Sequence, residues 1–258
     1  MVSRKKIVLM LLEGESDERL LVPAFSTLIR QRESNTHTES ELMRCDVTTI
    51  KRFTEGTRLF DLPAGSDPRQ VVRKATNDHI KRAREEGKYR RCDVSHVVQV
   101  IDLDGAFVPL EHVVRNTRID CIEYDTQYIY APNVSKQIDT MRAKREGVLS
   151  LRSLNSIDGI PYRLFYVARN LEHAFGGIVG NVRQSDKARQ AALLAQRYSN
   201  NPNQFTQALK ALYALHHGDT QVEWNETWTR VTQNSTLSLE RGSNLMLLPR
   251  FLTAAKRG

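Results

Sequence analysis

The sequence predicts an α/β protein in which a mainly parallel sheet is flanked by helices. Apolar segments of strand length recur at residues 7–12, 97–101 and 163–168, and segments with helical spacing separate them. From residue 185 onward only helical patterns follow, interrupted by turn residues. The prediction is therefore a sheet-containing first part and a largely helical C-terminal extension.

The first predicted strand, residues 7–12, is a continuous apolar run, as expected for a parallel strand that is buried on both faces. It ends at Glu13 and Gly14, and open α/β sheets place their ligands at the carboxyl ends of such strands. Ser16 is the candidate N-cap of the next helix, and Pro23 predicts a kink or a later start of that helix.

A polar loop at residues 30–46 and a second strand at 47–53 are predicted next. Two prolines and a glycine mark a further loop at 61–68. The helix after it has an apolar face formed by Val71, Val72, Ala75, Ile80 and Ala83. The mixed charges at 82–91 are typical of a solvated helix end, and a nucleic-acid contact is the alternative.

The strand at 97–101 also ends in acids, at Asp102 and Asp104, followed by Gly105. If the two acidic strand ends are neighbours, several carboxylates meet at one edge of the sheet. Like charges repel strongly in a partly desolvated cleft, so such a cluster shares protons or binds a hard cation. Mg²⁺ is the first candidate.

A helix is predicted from about residue 133 to 154, with Ser135 as its cap. Its candidate core positions are Ile138, Met141, Val148 and Leu149. The same segment carries the basic residues Lys136, Arg142, Lys144 and Arg145. The third strand, 163–168, then leads to Asn170, Glu172 and His173, so that an acid again follows an apolar strand.

The C-terminal part predicts two helices with apolar faces on either side of a break at residues 200–203. The predicted faces are Ala188, Ala191, Ala192 and Ala195, and then Phe205, Ala208, Leu209, Leu212 and Tyr213. Trp224, Trp228 and residues 245–248 are expected to close the core. We predict two domains, at 1–182 and 183–258.

The composition predicts a soluble, cytoplasmic protein with a polyanionic partner. There are 38 basic and 30 acidic residues, a formal charge of +8 that favours nucleic acid, with an ordinary soluble basic surface as the alternative. The 3 cysteines are far apart, which disfavours a disulfide framework and a zinc ribbon. The apolar run after the basic N-terminus is too short to span a membrane.

Either acidic motif alone is weak, because acids often cap helices after strands. Together, Glu13-Gly14 after one strand and Asp102-Leu103-Asp104 after another resemble the TOPRIM domain, the metal-binding module of topoisomerases, primases and OLD-family nucleases. The resemblance covers residues 5–175 and is closest to the small OLD and RloB-like nucleases. The two motifs, Glu13-Gly14 and Asp102-Leu103-Asp104, lie farther apart in the sequence than in compact TOPRIM domains. The resemblance implies a Rossmann-like sheet.

The resemblance also implies roles for individual residues. Glu13 would be a metal ligand or general acid/base, Asp102 and Asp104 would hold Mg²⁺ or Mn²⁺, and Asp17 would join them. Glu172 would return to the metal cluster as a further catalytic acid. The chemistry implied is phosphodiester cleavage or transfer, because a metal neutralises phosphoryl oxygens and lowers the pKa of a bound water.

Several cations are candidates to bind the leaving phosphate, and each also has the simpler interpretation of a surface charge. They are Lys136, Arg142, Lys144, Arg145 and Lys187. His173 is a candidate for assisting proton transfer, against the simpler interpretation of a packed histidine.

The implied biology is that of a nuclease in anti-phage defence, or a toxin-like effector of bacterial or mobile-element origin. The chain has no nucleotide-binding glycine loop, so an ATPase or regulator would be a separate partner. The helical extension would serve substrate fit, docking or homodimerisation. Two alternatives stay open: a haloacid-dehalogenase-like phosphatase with Asp102 as nucleophile, although Ala106 replaces its threonine, and a non-catalytic protein that binds nucleic acid or a partner.

Overall fold

A computed structural model of the chain describes residues 6–34, 45–49, 67–177, 184–215, 218–233 and 236–254. Their side chains are described as well, except at residues 30–34, 45–49, 184, 185, 187, 188, 253 and 254. The described residues form a mixed α/β structure with parallel-containing sheets flanked by helices, as predicted at this coarse level.

The strands of the described residues are β1 (Lys6–Leu11), β2 (Cys45–Thr49), β3 (Val94–Asp102), β4 (Val113–Arg115), β5 (Glu123–Tyr124), β6 (Ile129–Ala131), β7 (Ser156–Ile157) and β8 (Ile160–Val167). The α-helices are α1 (Glu15–Ser34), α2 (Pro68–Glu85), α3 (Val134–Arg152), α4 (Leu171–Gly176), α5 (Gln184–Asn200), α6 (Pro202–Ala211), α7 (Thr220–Gln233) and α8 (Leu248–Ala254). Short 3₁₀ turns lie at Arg91–Asp93, Leu110–His112 and Leu245–Leu247.

The larger sheet has the strand order β2-β1-β3-β8-β7. β1 pairs in parallel with β2 and with β3, so that Leu9 lies opposite Thr48 and Val97. β7 and β8 form an antiparallel hairpin. Its two turn residues, Asp158 and Gly159, have positive φ values of 48° and 85°, the geometry in which a two-residue turn matches the twist of the strands.

The central strands confirm the apolar runs of the sequence. β1 is buried from Ile7 to its end, and β3 is buried except at Ser95 and Asp102. β3 begins at Val94, earlier than the predicted start at residue 97. The polar side chain of Ser95 fits into the strand because its hydroxyl donates a hydrogen bond to the carbonyl of Ile7 (3.1 Å). The third predicted strand is confirmed as β8, which begins at Ile160.

Two predictions for α1, its Ser16 cap and a start after Pro23, are wrong, while a kink at Pro23 stays a prediction. The helix begins at Glu15, so Ser16 lies inside it and is not its cap. It also continues through Pro23 to Ser34, which excludes the predicted later start and shortens the predicted loop. Of the predicted strand at 47–53, the structure describes residues 47–49, which belong to β2, and the loop at 61–66 lies outside the described residues.

α2 and α3 are confirmed, with different details. The Asp67 carboxylate caps α2 by accepting the N–H of Arg69 at 2.9 Å. α3 is capped by Asn133, whose Oδ1 accepts the N–H of Lys136 at 3.0 Å, and not by Ser135. The predicted core position Leu149 is exposed, because it lies on the solvent side of α3.

A second, small sheet with the order β4-β6-β5 was not predicted. β6 pairs in parallel with β4 and antiparallel with β5. The sheet packs on an apolar cluster formed by Val108, Val113, Ile129, Ala131, Met141 and Leu239. Strands of two or three residues are too short for a periodic pattern to reveal them.

The chain divides into two compact units. The first is Met1–Val100, Ser150–Leu164 and Ala191–Thr206, and the second is Ile101–Leu149, Phe165–Gln190 and Gln207–Gly258. Within the first, the ring edge of Phe25 packs on Phe205 at 5.0 Å between centroids. Within the second, Tyr166 packs on Trp228 at 4.8 Å. These units interleave along the chain, and the predicted boundary at 182/183 stays a prediction.

From residue 184 onward, the described elements are helices and one 3₁₀ turn. The predicted break is confirmed, since α5 ends at Asn200 and α6 begins at Pro202. Ala192 is exposed, so that part of the predicted apolar face is wrong. No helix among the described residues combines the length and the apolar character needed to cross a membrane.

Candidate active site

Glu13 and Asp17 belong to the first unit, after β1 and in the first turn of α1. Glu13 is half-buried. Asp17 is buried, and its Oδ2 accepts the N–H of Gly14 at 3.1 Å. Such a contact stabilises the start of a helix, where the backbone carries partial positive charge. Asp17 therefore has a structural role, and metal binding by Glu13 and Asp17 stays a prediction.

The acids that end β3 lie in the second unit, on a main-chain turn with fixed hydrogen bonds. The N–H of Leu103 donates to the carbonyl of Val167 (2.9 Å), and the N–H of Asp104 donates to that of Arg169 (3.1 Å). The carboxyl ends of β3 and β8 are therefore side by side. Asp104 and Gly105 both have positive φ, 47° and 72°. Aspartate is one of the few residues other than glycine that tolerate this region, and Asp158 adopts it as well.

Lys144 reaches Asp104 from α3. Its Nζ lies 2.6 Å from Oδ2 of Asp104, and the lysine is buried while the aspartate side chain is 38% exposed. A buried ammonium needs a charged or strongly polar partner, and this carboxylate provides one. Of the basic residues predicted near phosphate whose side chains the structure describes, Lys144 is the one that contacts a predicted metal ligand.

Arg169 lies beside Asp104 and is almost fully buried, with 2% of its surface exposed. Its guanidinium lies over the ring of Tyr124, 4.7 Å from the centroid, and Nη2 donates to the carbonyl of Tyr124 at 3.4 Å. Among the described residues Nε has no hydrogen-bond partner. The guanidinium is a buried positive charge whose described contacts include no carboxylate.

The pKa of Tyr124 shows which charges surround it. Burial raises this pKa well above its usual range, and the negative charges of Asp104 and Asp102 raise it further, while Lys144 and Arg169 act in the opposite direction. Such effects fall off with distance. The structure therefore brings Asp102, Asp104 and Lys144 together, and adds Arg169 and Tyr124 to them.

Arg145 fixes the main chain that follows Asp104. Its Nε donates to the carbonyl of Ala106 at 3.0 Å and its Nη2 to that of Val108 at 3.2 Å. The guanidinium also lies 5.8 Å from the ring centroid of Phe107. These contacts give Arg145 a structural role in the turn.

The remaining predicted cations lie elsewhere. Lys136 and Arg142 are exposed on α3, and a guanidinium nitrogen of Arg142 lies 3.8 Å from the exposed carboxylate of Asp139. Lys187 is part of α5, and its side chain lies outside the described residues. Phosphate binding by these three residues stays a prediction.

Glu172 and His173 form the first turn of α4, which is capped by Asn170: its Oδ1 accepts the N–H of His173 at 2.9 Å. Both side chains are buried. Burial lowers the pKa of His173, and the positive charges of Arg169 and Arg241 lower it further. His173 is therefore neutral at pH 7, the form that can accept a proton. Catalysis by Glu172 stays a prediction.

The donor chemistry of Asp102 and Asp104 fits a hydrated Mg²⁺ or Mn²⁺ ion. Among the described residues, no group of three or more His, Cys, Asp or Glu is placed to hold a metal. Magnesium does not require such a group, because it keeps several waters and binds one or two carboxylates together with substrate phosphates. Since Lys144 already neutralises part of the Asp104 charge, the pair suits a weakly held ion. A cation shared by Glu13 and Asp102 stays a prediction.

Tyr124 and Arg169 were not predicted from the sequence. Tyr124 belongs to the small sheet, which has no clear sequence signal. Arg169 does have a sequence signal, because it follows the apolar run of β8 at the edge of the sheet where ligands are expected. A basic residue after a buried strand can therefore mark a site as well as an acid can.

Comparison with known proteins adds no assignment. No family model matches the sequence, and no curated protein and no solved structure is significantly similar to it.

Proposed function

We propose that the chain is a Mg²⁺- or Mn²⁺-dependent nuclease of the TOPRIM type, acting on a phosphodiester of RNA or DNA. The observation that carries the proposal is the cluster in the second unit: Asp102 and Asp104 at the end of β3, with Lys144 and Arg169 beside them. Two carboxylates and two cations in partly buried surroundings suit a metal and a phosphate that bind together.

The strand order supports the finer, Rossmann-like part of the proposal. β2, β1 and β3 are parallel, and β8 is next to β3 with its carboxyl end beside that of β3. Along the chain, β2 is added on one side of β1, and β3 and β8 are then added on the other side. Doubly wound sheets have this order and bind ligands beyond the carboxyl ends of the strands where it changes direction. Asp102 is the last residue of β3.

In the proposed mechanism Asp102 and Asp104 would hold the metal, and the chemistry that it would supply is neutralisation of phosphoryl oxygens and a water of lowered pKa. Lys144 orients the Asp104 carboxylate through the 2.6 Å contact. Neutral His173, whose pKa is lowered by burial, is the candidate to accept a proton. The proposal also includes Glu13 as a metal ligand or general acid/base and Glu172 as a catalytic acid, because the TOPRIM resemblance implies these roles.

The test is cleavage of labelled single-stranded and duplex RNAs and DNAs by the purified chain with Mg²⁺ or Mn²⁺, followed on denaturing gels. We expect cleavage to fall about a hundredfold or more in Asp102→Asn and Asp104→Asn. Glu13→Gln tests the contribution implied by the resemblance and is expected to show a similar loss. Asp139→Asn is the matched control, an exposed acid on α3, and should cleave like the wild type.

Other outcomes would contradict the proposal. Unchanged cleavage in Asp102→Asn and Asp104→Asn would reject the site. Hydrolysis of para-nitrophenyl phosphate that depends on Asp102 and not on Glu13 would favour the phosphatase. Binding of nucleic acid without turnover would favour a binding protein, once the assay has been repeated with the products of neighbouring genes, which would include an ATPase or regulatory partner.

The biological role in anti-phage defence or as a toxin-like effector is part of the proposal and rests on the resemblance alone. Its test is the survival of phage-infected cells that express the wild-type chain or Asp104→Asn. Protection or growth arrest that requires Asp104 would support the role, and equal behaviour of both strains would contradict it.

A further inference from the structure

A buried arginine beside the proposed metal ligands has an incomplete set of partners. Arg169 is 2% exposed, and its described contacts are the ring and the carbonyl of Tyr124. Its Nε is buried and has no hydrogen-bond partner among the described residues. Arginines are seldom fully buried unless they are paired with an acid, and Arg169 forms no ion pair with an acid among the residues that the structure describes.

The acids around Arg169 act on it only at a distance. Burial lowers the pKa of the guanidinium, while Asp104 and Asp125 favour its charged form without forming an ion pair with it. Asp104 is in contact with Lys144. Arg169 nevertheless stays charged at any pH at which proteins are folded. The fold thus keeps a desolvated cation whose hydrogen-bond donors are not all used.

The charges of the cluster show what would complete it. Asp102 and Asp104 balance Lys144 and Arg169, so the cluster is close to neutral. Even without a metal, Nε of Arg169 is a donor that an anion can use, and a bound divalent cation would strengthen the binding of that anion. A phosphodiester oxygen suits the planar fork of a guanidinium, which donates two parallel hydrogen bonds.

We propose that Arg169 is the residue that binds the substrate phosphate, by donating hydrogen bonds to the nonbridging oxygens of a nucleic-acid backbone phosphate beside Asp104. The inference rests on the proposed function for the identity of the polymer. Tyr124 acts as a positioning residue, because its ring lies over the guanidinium and its carbonyl accepts from Nη2. Lys136 and Arg142, which are exposed, contribute less, since water and salt screen them.

The experiment measures binding without turnover. A short labelled single-stranded RNA, and DNA of the same sequence, are titrated with the chain in EDTA at several KCl concentrations. We expect Arg169→Gln to weaken binding about tenfold or more. The slope of log affinity against log salt should fall in magnitude by about one, the effect of one lost phosphate contact. Inorganic phosphate should compete with the wild type only.

The matched control is Arg73→Gln, which removes an exposed arginine from α2 and should leave affinity and slope close to those of the wild type. Thermal unfolding is measured for each variant first. If Arg169→Gln does not fold, Arg169→Lys is used instead. It keeps the positive charge and lacks the planar guanidinium, so we expect weaker binding with the wild-type slope of log affinity against log salt. Unchanged affinity in a folded Arg169 variant would overturn the inference.

Tyr124→Leu separates charge from packing. It removes the ring over the guanidinium and keeps the main-chain carbonyl that accepts from Nη2, so affinity should fall while the charge, and with it the salt slope, stays that of the wild type. If Tyr124→Leu lowers the slope as Arg169→Gln does, Arg169 acts through packing and the inference fails.

The inference and the proposed function can fail separately. Arg169-dependent binding in EDTA without any cleavage in Mg²⁺ supports the phosphate contact and rejects the nuclease. Cleavage that requires Asp104 and proceeds with unchanged affinity in Arg169→Gln supports the nuclease and rejects the contact.

Discussion

Gly105 determines, at the scale of single residues, how the chain leaves β3 after Asp104. Its φ is +72°, and a Cβ placed on it would lie 2.8 Å from Cδ1 of Ile129 and 2.9 Å from Cδ2 of Leu239. Both neighbours are completely buried, so neither can move away easily. Only glycine combines this backbone conformation with this close approach.

We predict that Gly105→Ala lowers the free energy of unfolding by about 2–4 kcal/mol, the sum of left-handed strain and overpacking. Urea denaturation measures the loss. Gly159→Ala is the control, because its φ is +85° and a Cβ there meets nothing within 4 Å. It should lose about 1 kcal/mol, from strain alone. Equal losses of unfolding free energy in the two variants would contradict the prediction, because they would mean that Ile129 and Leu239 move away from the added methyl group.

His96 is a second residue with a measurable effect. It lies in β3, 4% exposed, and burial lowers its pKa to about 4. In the unfolded chain the pKa is about 6.5. Above that value the residue is neutral in both states. As the pH falls from about 6.5 to about 4, the unfolded chain takes up a proton that the folded chain does not, and stability is lost.

We predict a loss of up to about 3 kcal/mol from His96 over this range of pH. The measurement is urea denaturation between pH 7 and 4 of the wild type and His96→Gln. The variant should lose less stability on acidification, whatever its stability at pH 7. His79 and His173, whose pKa values are also lowered, titrate in both proteins and cancel in the difference. Parallel pH profiles would contradict the assignment.

At the scale of elements, α7 is held by a buried carboxylate. Glu223 is fully buried, and accepts hydrogen bonds from the Tyr213 hydroxyl, from the N–H of Gly218 at 2.6 Å and from Arg250 at 3.0 Å. Burial acts to raise the pKa of Glu223, but these hydrogen bonds outweigh it and hold the pKa below its usual value. The ionised carboxylate thus joins α7 to the segments before and after it.

We predict that Glu223→Ala lowers the free energy of unfolding by about 3–5 kcal/mol, because it removes a fully buried carboxylate together with all the hydrogen bonds that this carboxylate accepts. Gln221→Ala, at an exposed position of the same helix, should change it by less than about 0.5 kcal/mol. Urea denaturation at pH 7 compares them. Similar stability of the two variants would mean that the network contributes nothing to folding.

The elements also show what a sequence can predict about this fold. β1, β3 and β8 were predicted because strands covered on both faces are continuous apolar runs. The start of α1 was misplaced because the carboxylate of Asp17 binds the Gly14 N–H, a contact that the sequence does not distinguish from a Ser16 cap. The small sheet was missed because its strands gain stability from the cluster beneath them and not from their own pattern.

For the molecule as a whole, the candidate site was predicted in part. The rule that ligands bind at the carboxyl ends of parallel strands pointed to Asp102 and Asp104. It could not show that Lys144, from α3, meets Asp104, since that contact depends on how distant segments pack. Arg169 and Tyr124 depend on packing for the same reason.

The charge of the whole chain leads to a last prediction. Its 38 basic and 30 acidic residues give +8 at pH 7, so binding to nucleic acid should release counterions and weaken with salt. We expect log affinity for a short DNA duplex to fall linearly with log KCl, by about 0.9 per phosphate contacted. A peptide nucleic acid of the same sequence has no phosphates and should bind weakly at every salt concentration. If the affinity for the duplex does not depend on salt, or if the uncharged analogue binds equally well, the net positive charge does not bind phosphates and only makes the surface soluble.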